Sequence, residues 1–481
     1  MTPILATGAC LAAMLALFLL DRKKSARTSW SLWIPILWLS ICSSRHVSEW
    51  LGGMSTTAMA ADQYLEGSPV DATVYGLLTL GAMLVLAARW SAVVKILRRN
   101  QPVVLFVLFC ALSITWSDFP AVALKRWIKS LGDYSMILLM LTEYDCESAI
   151  RRALARVSLV IIPLSILFIK YYPQLGRSYA AHWDATQFFV GVCDNKNMLG
   201  MVCLIFGITA WCRVLEAWQG PKRQKKKELI VHGGILAMAI WLLMMSDSKT
   251  SLSCFVLTGA VLAAHAFLRV ARRRAVLNIL VISVVLTSAA VLFLGIGGGA
   301  LKAIGRNSTL TGRTDIWSAL LSVHTNPIFG TGFESFWLGP RLTYLWTFPI
   351  VAGITEAHDG YLEMYLNLGW LGLGFMGAMI WTGYRNIQRL LERAPALGRL
   401  RLGYFVIALI YNFTEAGFRS TDLIWFVFVL SIMWPPLKVV VPAVAERRRR
   451  KKLIPEYDSA AELLPEDVAV HAGGLARRGF A

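Results

Sequence analysis

Apolar and polar residues follow one another along this chain in long blocks, not in the residue-by-residue alternation of half-buried strands. About thirteen apolar stretches, near 4–20, 29–43, 73–89, 102–117, 121–142, 155–171, 197–216, 229–246, 251–268, 276–298, 361–382, 402–417 and 422–441, reach or approach the length that crosses a bilayer as a helix. The pattern predicts an all-α polytopic membrane protein with about 12–13 transmembrane helices. One long polar block, at 299–360, interrupts the series. A membrane domain is therefore expected over 1–442, with a large helical loop at 299–360, followed by a flexible tail over 443–481. Inside the loop, Trp317, Leu320, Leu321 and His324 fall on one face of a short helix. Thr314 is the expected cap at its start, and Asn326-Pro327 the expected stop.

Composition sharpens this picture. The chain is 56% hydrophobic and only 16% charged, which fits helices whose surroundings are lipid. The net charge of +19 raises the question of nucleic acid, but its distribution answers it. Basic clusters at 22–24, 95–99, 151–152, 222–227, 272–274 and 447–450 all fall on one side of the expected spans. That is the positive-inside bias of a cytoplasmic face, and no nucleic-acid partner is expected. The tail then lies in the cytoplasm and the 299–360 loop outside. The basic run near the start of the tail is read as a grip on membrane lipids. Most of the eight cysteines lie within apolar spans, so a disulfide framework is not expected, and no Cys/His spacing suits zinc. The apolar run at 4–20 lacks a basic leader and is read as a retained span.

Chemistry concentrates on the outer side. Arg313 stands at the start of a short helix, where free N–H groups favour an anion. His358 lies where the polar loop meets a membrane helix, with Asp359, Glu356 and Glu334 as nearby carboxylates. Arg126 and Lys129, three apart, share a face close to the outer end of their span and serve either as phosphate ligands or as snorkelling side chains. Lys196 and Lys249 each sit beside a helix start at the membrane surface, and Arg306 and Arg341 add further outward cations. Such a set suits a lipid-linked phosphate or diphosphate, since arginine forks bind phosphate oxygens in pairs. No Asp-x-Asp pair occurs in the outer loops, so no metal and no other cofactor is expected.

In order and spacing, several motifs resemble the bacterial O-antigen ligase and Wzy-type polymerase superfamily, especially exopolysaccharide polymerisation proteins of the ExoQ type. They are the run from Ser44 to Leu51, Lys196-Asn197-Met198-Leu199-Gly200, Ser246 to Ser251, Gly312 to Trp317, Asn326 to Gly332, and Ala357 to Leu362 followed by Leu368-Gly369. The resemblance implies a metal-independent glycosyltransferase of the bacterial inner membrane, working on the periplasmic side. Its donor would be a polyprenyl-diphosphate-linked oligosaccharide and its acceptor a glycan or lipid, with chain-length regulator and export proteins as further partners. The resemblance makes Arg313 and His358 catalytic. Substrate binding falls to Lys249, Arg126, Lys129, Lys196, Arg306, Arg341, Glu334 and Asp359. Under this reading His358 in its neutral form takes the proton of the acceptor hydroxyl. Many ligases carry arginine where this chain has Lys249. The main reading is a polymerase of lipid-linked repeat units. The alternatives are an O-antigen ligase joining glycan to lipid A-core and, further off, a glycan transporter.

Overall fold

The computed structural model describes residues 2–21, 28–52, 68–179, 187–219, 222–293 and 313–435. Arg306 and the tail lie outside the described residues. The principal helices are α1 (Pro3–Asp21), α2 (Trp33–Cys42), α3 (Pro69–Ala88), α4 (Trp90–Arg99), α5 (Gln101–Ser113), α6 (Pro120–Leu141), α7 (Cys146–Tyr171), α8 (Lys196–Gln219), α9 (Lys222–Met245), α10 (Lys249–Phe267), α11 (Arg274–Phe293), α12 (Arg313–Ser322), α13 (Gly339–Leu345), α14 (Gly360–Arg393), α15 (Pro395–Tyr411) and α16 (Leu423–Ile432). The only strands among the described residues, β1 (Arg177–Tyr179) and β2 (Gln187–Phe189), form one antiparallel hairpin. The chain is an all-α polytopic membrane protein.

Each expected span contains a helix among the described residues, but the helices are not equivalent. Among the described residues eight are long and apolar enough to cross a membrane, and α4 with α5 makes a ninth if that bent pair is one span. The stretches expected at 29–43, 121–142, 402–417 and 422–441 fall short of this standard for physical reasons. Helices α2 and α16 have only 10 residues each, α15 has 17, and α6 carries Lys125, Arg126, Lys129 and Asp133. Helix α4 turns 94° from α5 and buries Val93 and Ile96 while ending in Arg98 and Arg99. It is a short amphipathic helix of the kind that lies in the interface plane, where the sequence suggested a connecting loop. Helix α8 forms the middle of the bundle, with 78% of its apolar window buried against 11% for α1 and α11. It packs on α7, α9, α10 and α15.

Two features position the loop segment. First, residues 313–359 have their own small core, in which Ile316, Leu320, Phe336, Trp337, Leu342 and Leu345 bury together with Val351 and Ala357. Within α12 the buried face is Ile316 and Leu320 with Trp317 partly covered, while Leu321 is exposed. Thr314 is the second residue of that helix and not its cap. Second, α14 is two helices joined at Gly369, whose φ of 63° is left-handed. There the 327–332 turn docks by backbone bonds, with Trp370 N–H on the Pro327 carbonyl at 2.9 Å and Gly332 N–H on the Asn367 carbonyl at 2.9 Å. A Cβ at Gly369 would lie 2.3 Å from the Ile328 carbonyl oxygen, so both the turn of the chain and the close approach require glycine.

Helix α15 stops at Tyr411, so residues 412–417 are loop where the span expected at 402–417 would have continued, and the loop runs on to Asp422. Three contacts hold it. The Asn412 carbonyl accepts from Gly360 N–H at 2.8 Å, and Glu334 Oε1 accepts from Ser420 N–H at 2.9 Å. The fully buried Asp133 of α6 accepts from Thr421 N–H at 2.8 Å and from Trp38 Nε1 at 2.9 Å. Thr421 itself has φ of 61°. Replacing Asp133 with alanine orphans two buried donors at once. A loss of about 2–5 kcal/mol is expected from that alone. Thermal unfolding of the purified variant in detergent should show a lower midpoint, and an unchanged midpoint would mean the loop is held elsewhere.

Candidate active site

Four pieces of chain converge at one end of the bundle: the start of α12, the 355–359 turn, the 412–422 loop and the start of α10. Arg313 opens α12. Its Nη1 donates to the Thr414 carbonyl, and its Nη2 lies 3.1 Å from Glu415 Oε1. The other oxygen of that carboxylate, Oε2, is 3.7 Å from His358 Nδ1. Glu356 Oε1 approaches the same nitrogen at 2.9 Å, while its Oε2 meets Arg419 Nη1 at 3.3 Å. The approach of Glu356 is an ion pair by distance, and the ring N–H does not point along it. Two carboxylates thus alternate with three basic side chains in a row, and His358 is at its centre. The middle of the row is accessible, with 27% of the His358 side chain exposed.

The backbone around His358 is over-determined. Its φ of 49° is left-handed, a conformation costing a non-glycine residue of order 1–3 kcal/mol. The preceding Ala357 is pinned on both sides, its carbonyl by Trp317 Nε1 at 2.9 Å and its N–H by Glu363 Oε2 at 3.0 Å. Trp317 belongs to α12, so the helix that presents Arg313 also fixes the turn that presents His358.

Burial disfavours the His358 cation, but Glu356 and Glu415 outweigh it and push the pKa up to about 9. Burial likewise works against the Glu356 charge, and His358, Arg419 and Arg313 hold its pKa below the usual range. At neutral pH His358 is therefore an imidazolium. The expectation from the sequence was a neutral ring, with nearby carboxylates orienting the histidine or replacing it as base.

The structure sorts the remaining expected residues. Lys249 and Lys196 come together on Asp247, at 2.9 Å from Oδ1 and 3.8 Å from Oδ2. They adjoin the cluster, because Thr250 Oγ1 lies 3.0 Å from Thr414 Oγ1. Glu334, with φ of 47°, binds the 412–422 loop through Ser420, and Arg126 donates to the Glu334 carbonyl at 2.5 Å. Those two therefore shape the loop from beneath. Lys129 is placed over the Tyr75 ring at 4.8 Å, and Arg341 binds Asp118 at 2.5 Å. Asp359 is the buried cap of α14, its Oδ1 accepting from Leu362 N–H at 2.7 Å. Burial pushes its pKa up to about 6, against the pull of the Leu362 and Tyr361 N–H groups and of Arg313. Lys129, Arg341 and Asp359 thus have structural partners that account for them. Glu415 was missed as a site residue because it lay in the span expected at 402–417, and Arg419, one of the outward cations beyond that span, was given no role; the signal available was a carboxylate inside an apolar stretch.

Glu356, His358 and Glu415 offer three ligand atoms within 4.8 Å of one another, the spacing of a metal site. Arg313 and Arg419 already pair with those carboxylates, so a divalent ion there would meet two fixed cations. The Asp21, Glu228 and His232 group has the same difficulty, since Arg213 Nη2 lies 2.6 Å from Glu228 Oε2. Both groups are built as ion-pair networks.

Residues 234–377 match the family model described as O-antigen ligase. The interval runs from within α9 to within α14 and contains Lys249, Arg313, Glu356 and His358, while Glu415 and Arg419 lie beyond it. The chain is also similar to the exopolysaccharide production protein ExoQ of Rhizobium meliloti (strain 1021), with 28% identity over 305 residues. That similarity covers 60% of this chain and 65% of the relative, so the chain spans less than two thirds of the relative's length. Both comparisons point the same way: residues 234–377 are similar to the O-antigen ligase family, and the chain is similar to a protein of exopolysaccharide production.

Proposed function

We propose that the chain is a metal-independent membrane glycosyltransferase that polymerises polyprenyl-diphosphate-linked oligosaccharide units in exopolysaccharide production. The observation that carries this is the row Arg313–Glu415–His358–Glu356–Arg419 at the mouth of a membrane helix. Three cations face two carboxylates, leaving room for an anionic ligand. Arg313 and Arg419 hold the donor diphosphate, each offering a planar fork. The His358 imidazolium steadies the charge that develops as the sugar C1–O bond to phosphate breaks. The leaving diphosphate keeps the bonding electron pair. The acceptor hydroxyl forms the new bond to C1, and Glu415, between Arg313 and His358, takes its proton. Lys196 and Lys249 extend the cationic rim. By the positive-inside bias the row faces the periplasm, with the clusters at Arg151–Arg152 and Arg272–Arg274 in the cytoplasm.

The test is transfer by purified chain given a polyprenyl-diphosphate oligosaccharide. Lengthening of the lipid-linked glycan, coupled to release of polyprenyl diphosphate and undiminished by a chelator, is the expected result. Transfer only to lipid A-core would make it a ligase. Movement of the lipid across vesicles without bond formation would make it a transporter. Reporter fusions check the sidedness independently: one after Thr309 should lie outside and one after Lys226 inside.

A further inference from the structure

Helices α10, α14 and α15 each run from the Arg313–His358 end of the bundle to its opposite end. Lys249 opens α10 and His265 closes it, so the two ends lie roughly 25 Å apart at 1.5 Å per residue. At that far end a cavity of ≈ 470 Å3 opens between α10, α11, α14 and α15. Its lining includes Arg272, Arg274, Arg399, His265, Gln388 and Glu392. Three arginines meet one glutamate, and that glutamate is taken: Arg274 grips Glu392 at 2.7 and 2.8 Å.

Arg399 decides the reading. It is only 6% exposed, and its Nε has no hydrogen-bond partner. Glu216, whose charge reaches it, is bonded to Arg151 at 2.5 Å. His265, also 6% exposed, has an unpartnered Nδ1 in the same lining. Arg272 is fixed at the rim, its Nη2 donating to the Ala266 carbonyl at 2.6 Å. A buried guanidinium N–H without an acceptor, as at the Arg399 Nε, costs stability unless something supplies one, and the cavity is large enough for a phosphate with its substituents.

We propose that this cavity is a second anion site, taking the phosphate of a lipid headgroup or of a soluble phosphate compound, with Arg399 as the central ligand and Arg272 and Arg274 at the rim. It is distinct from the Arg313–His358 row and independent of the transfer reaction.

The experiment uses the full chain purified in detergent. Binding of phosphatidylglycerol and of inorganic phosphate is read by thermal shift at constant ionic strength, with phosphatidylcholine as control for detergent exchange. Wild type should bind phosphatidylglycerol in preference to phosphatidylcholine. Arg399→Gln should weaken that binding about tenfold or more, as loss of a charge-assisted hydrogen bond does. Competition by inorganic phosphate identifies a soluble phosphate as sufficient; binding of the lipid alone identifies a headgroup site. If Arg399→Gln does not fold, the rim variant Arg274→Gln, whose side chain is largely exposed, should show a smaller loss in the same direction. Arg389→Gln, exposed and outside the cavity, should bind as wild type does. Failure of wild type to bind either probe overturns the proposal. So does unchanged binding in whichever of the two cavity variants folds, or an equal loss in Arg389→Gln, which would mean diffuse surface attraction.

Discussion

Replacing His358 with alanine is expected to lower glycan transfer about 10²- to 10³-fold while leaving the protein folded, the range seen when one group stabilising transition-state charge is removed. The sign of its pH dependence follows from the cluster. Glu356 and Glu415 hold the His358 pKa up to about 9, so the imidazolium persists at neutral pH and is lost as pH rises through about 9. Transfer that depends on this charge should be flat near neutrality and fall on the alkaline side. In Glu356→Gln the ring loses the carboxylate at 2.9 Å, and the alkaline fall should move to lower pH. The measurement is the transfer rate per protein from neutrality to about pH 10 in wild type and both variants. A wild-type rate that rises through about pH 9 would make neutral His358 the base and remove Glu415 from that role. Unchanged transfer in His358→Ala would take the residue out of the mechanism.

Arg313→Lys should be nearly as severe, with a loss of about tenfold to 10³-fold although the charge is kept. Two effects coincide. An ammonium cannot make a two-pronged contact to a diphosphate. Nor can it reproduce the present fork, in which Nη1 reaches the Thr414 carbonyl and Nη2 reaches Glu415. The Glu415 carboxylate then loses its anchor, so the group between donor and acceptor becomes mobile. Donor binding and transfer should be measured separately. Loss of both is expected, because Arg313 serves as donor ligand and positions Glu415. Near-normal transfer at matched protein level would reduce Arg313 to the first residue of α12.

The largest-scale features were readable because they depend on local composition. An apolar block in lipid must satisfy its backbone internally, so each block becomes a helix whatever surrounds it. The turn chemistry was equally local. Asn326 closes a turn on Ile328 and Phe329 N–H at 2.9 and 3.1 Å, and Gly330 and Gly332 take positive φ values within the turn. Arg313 stood out at the start of a short helix and His358 where the polar loop meets a membrane helix. Lys129 and Arg341 drew the same suspicion, yet each has a partner that no spacing rule reveals, an aromatic ring and a carboxylate 223 positions away, while Asp359 caps its own helix.

What the amino-acid order determined by itself was the set of helices, the polar block between them and the residue types it exposes. Only tertiary structure could decide where α15 ends. Its stop at Tyr411 turns 412–417 from apparent span into part of a loop reaching Asp422, because Gly360, Glu334 and Asp133 satisfy that backbone from three distant elements. With the loop come Glu415 and Arg419, and with Glu415 comes the charge on His358. A histidine alone titrates near neutrality, and burial lowers its pKa. Two carboxylates, one from the adjacent turn and one from 57 residues on, reverse that shift. The helices answer to their own composition, whereas the protonation state answers to the sum of charges folded around one ring.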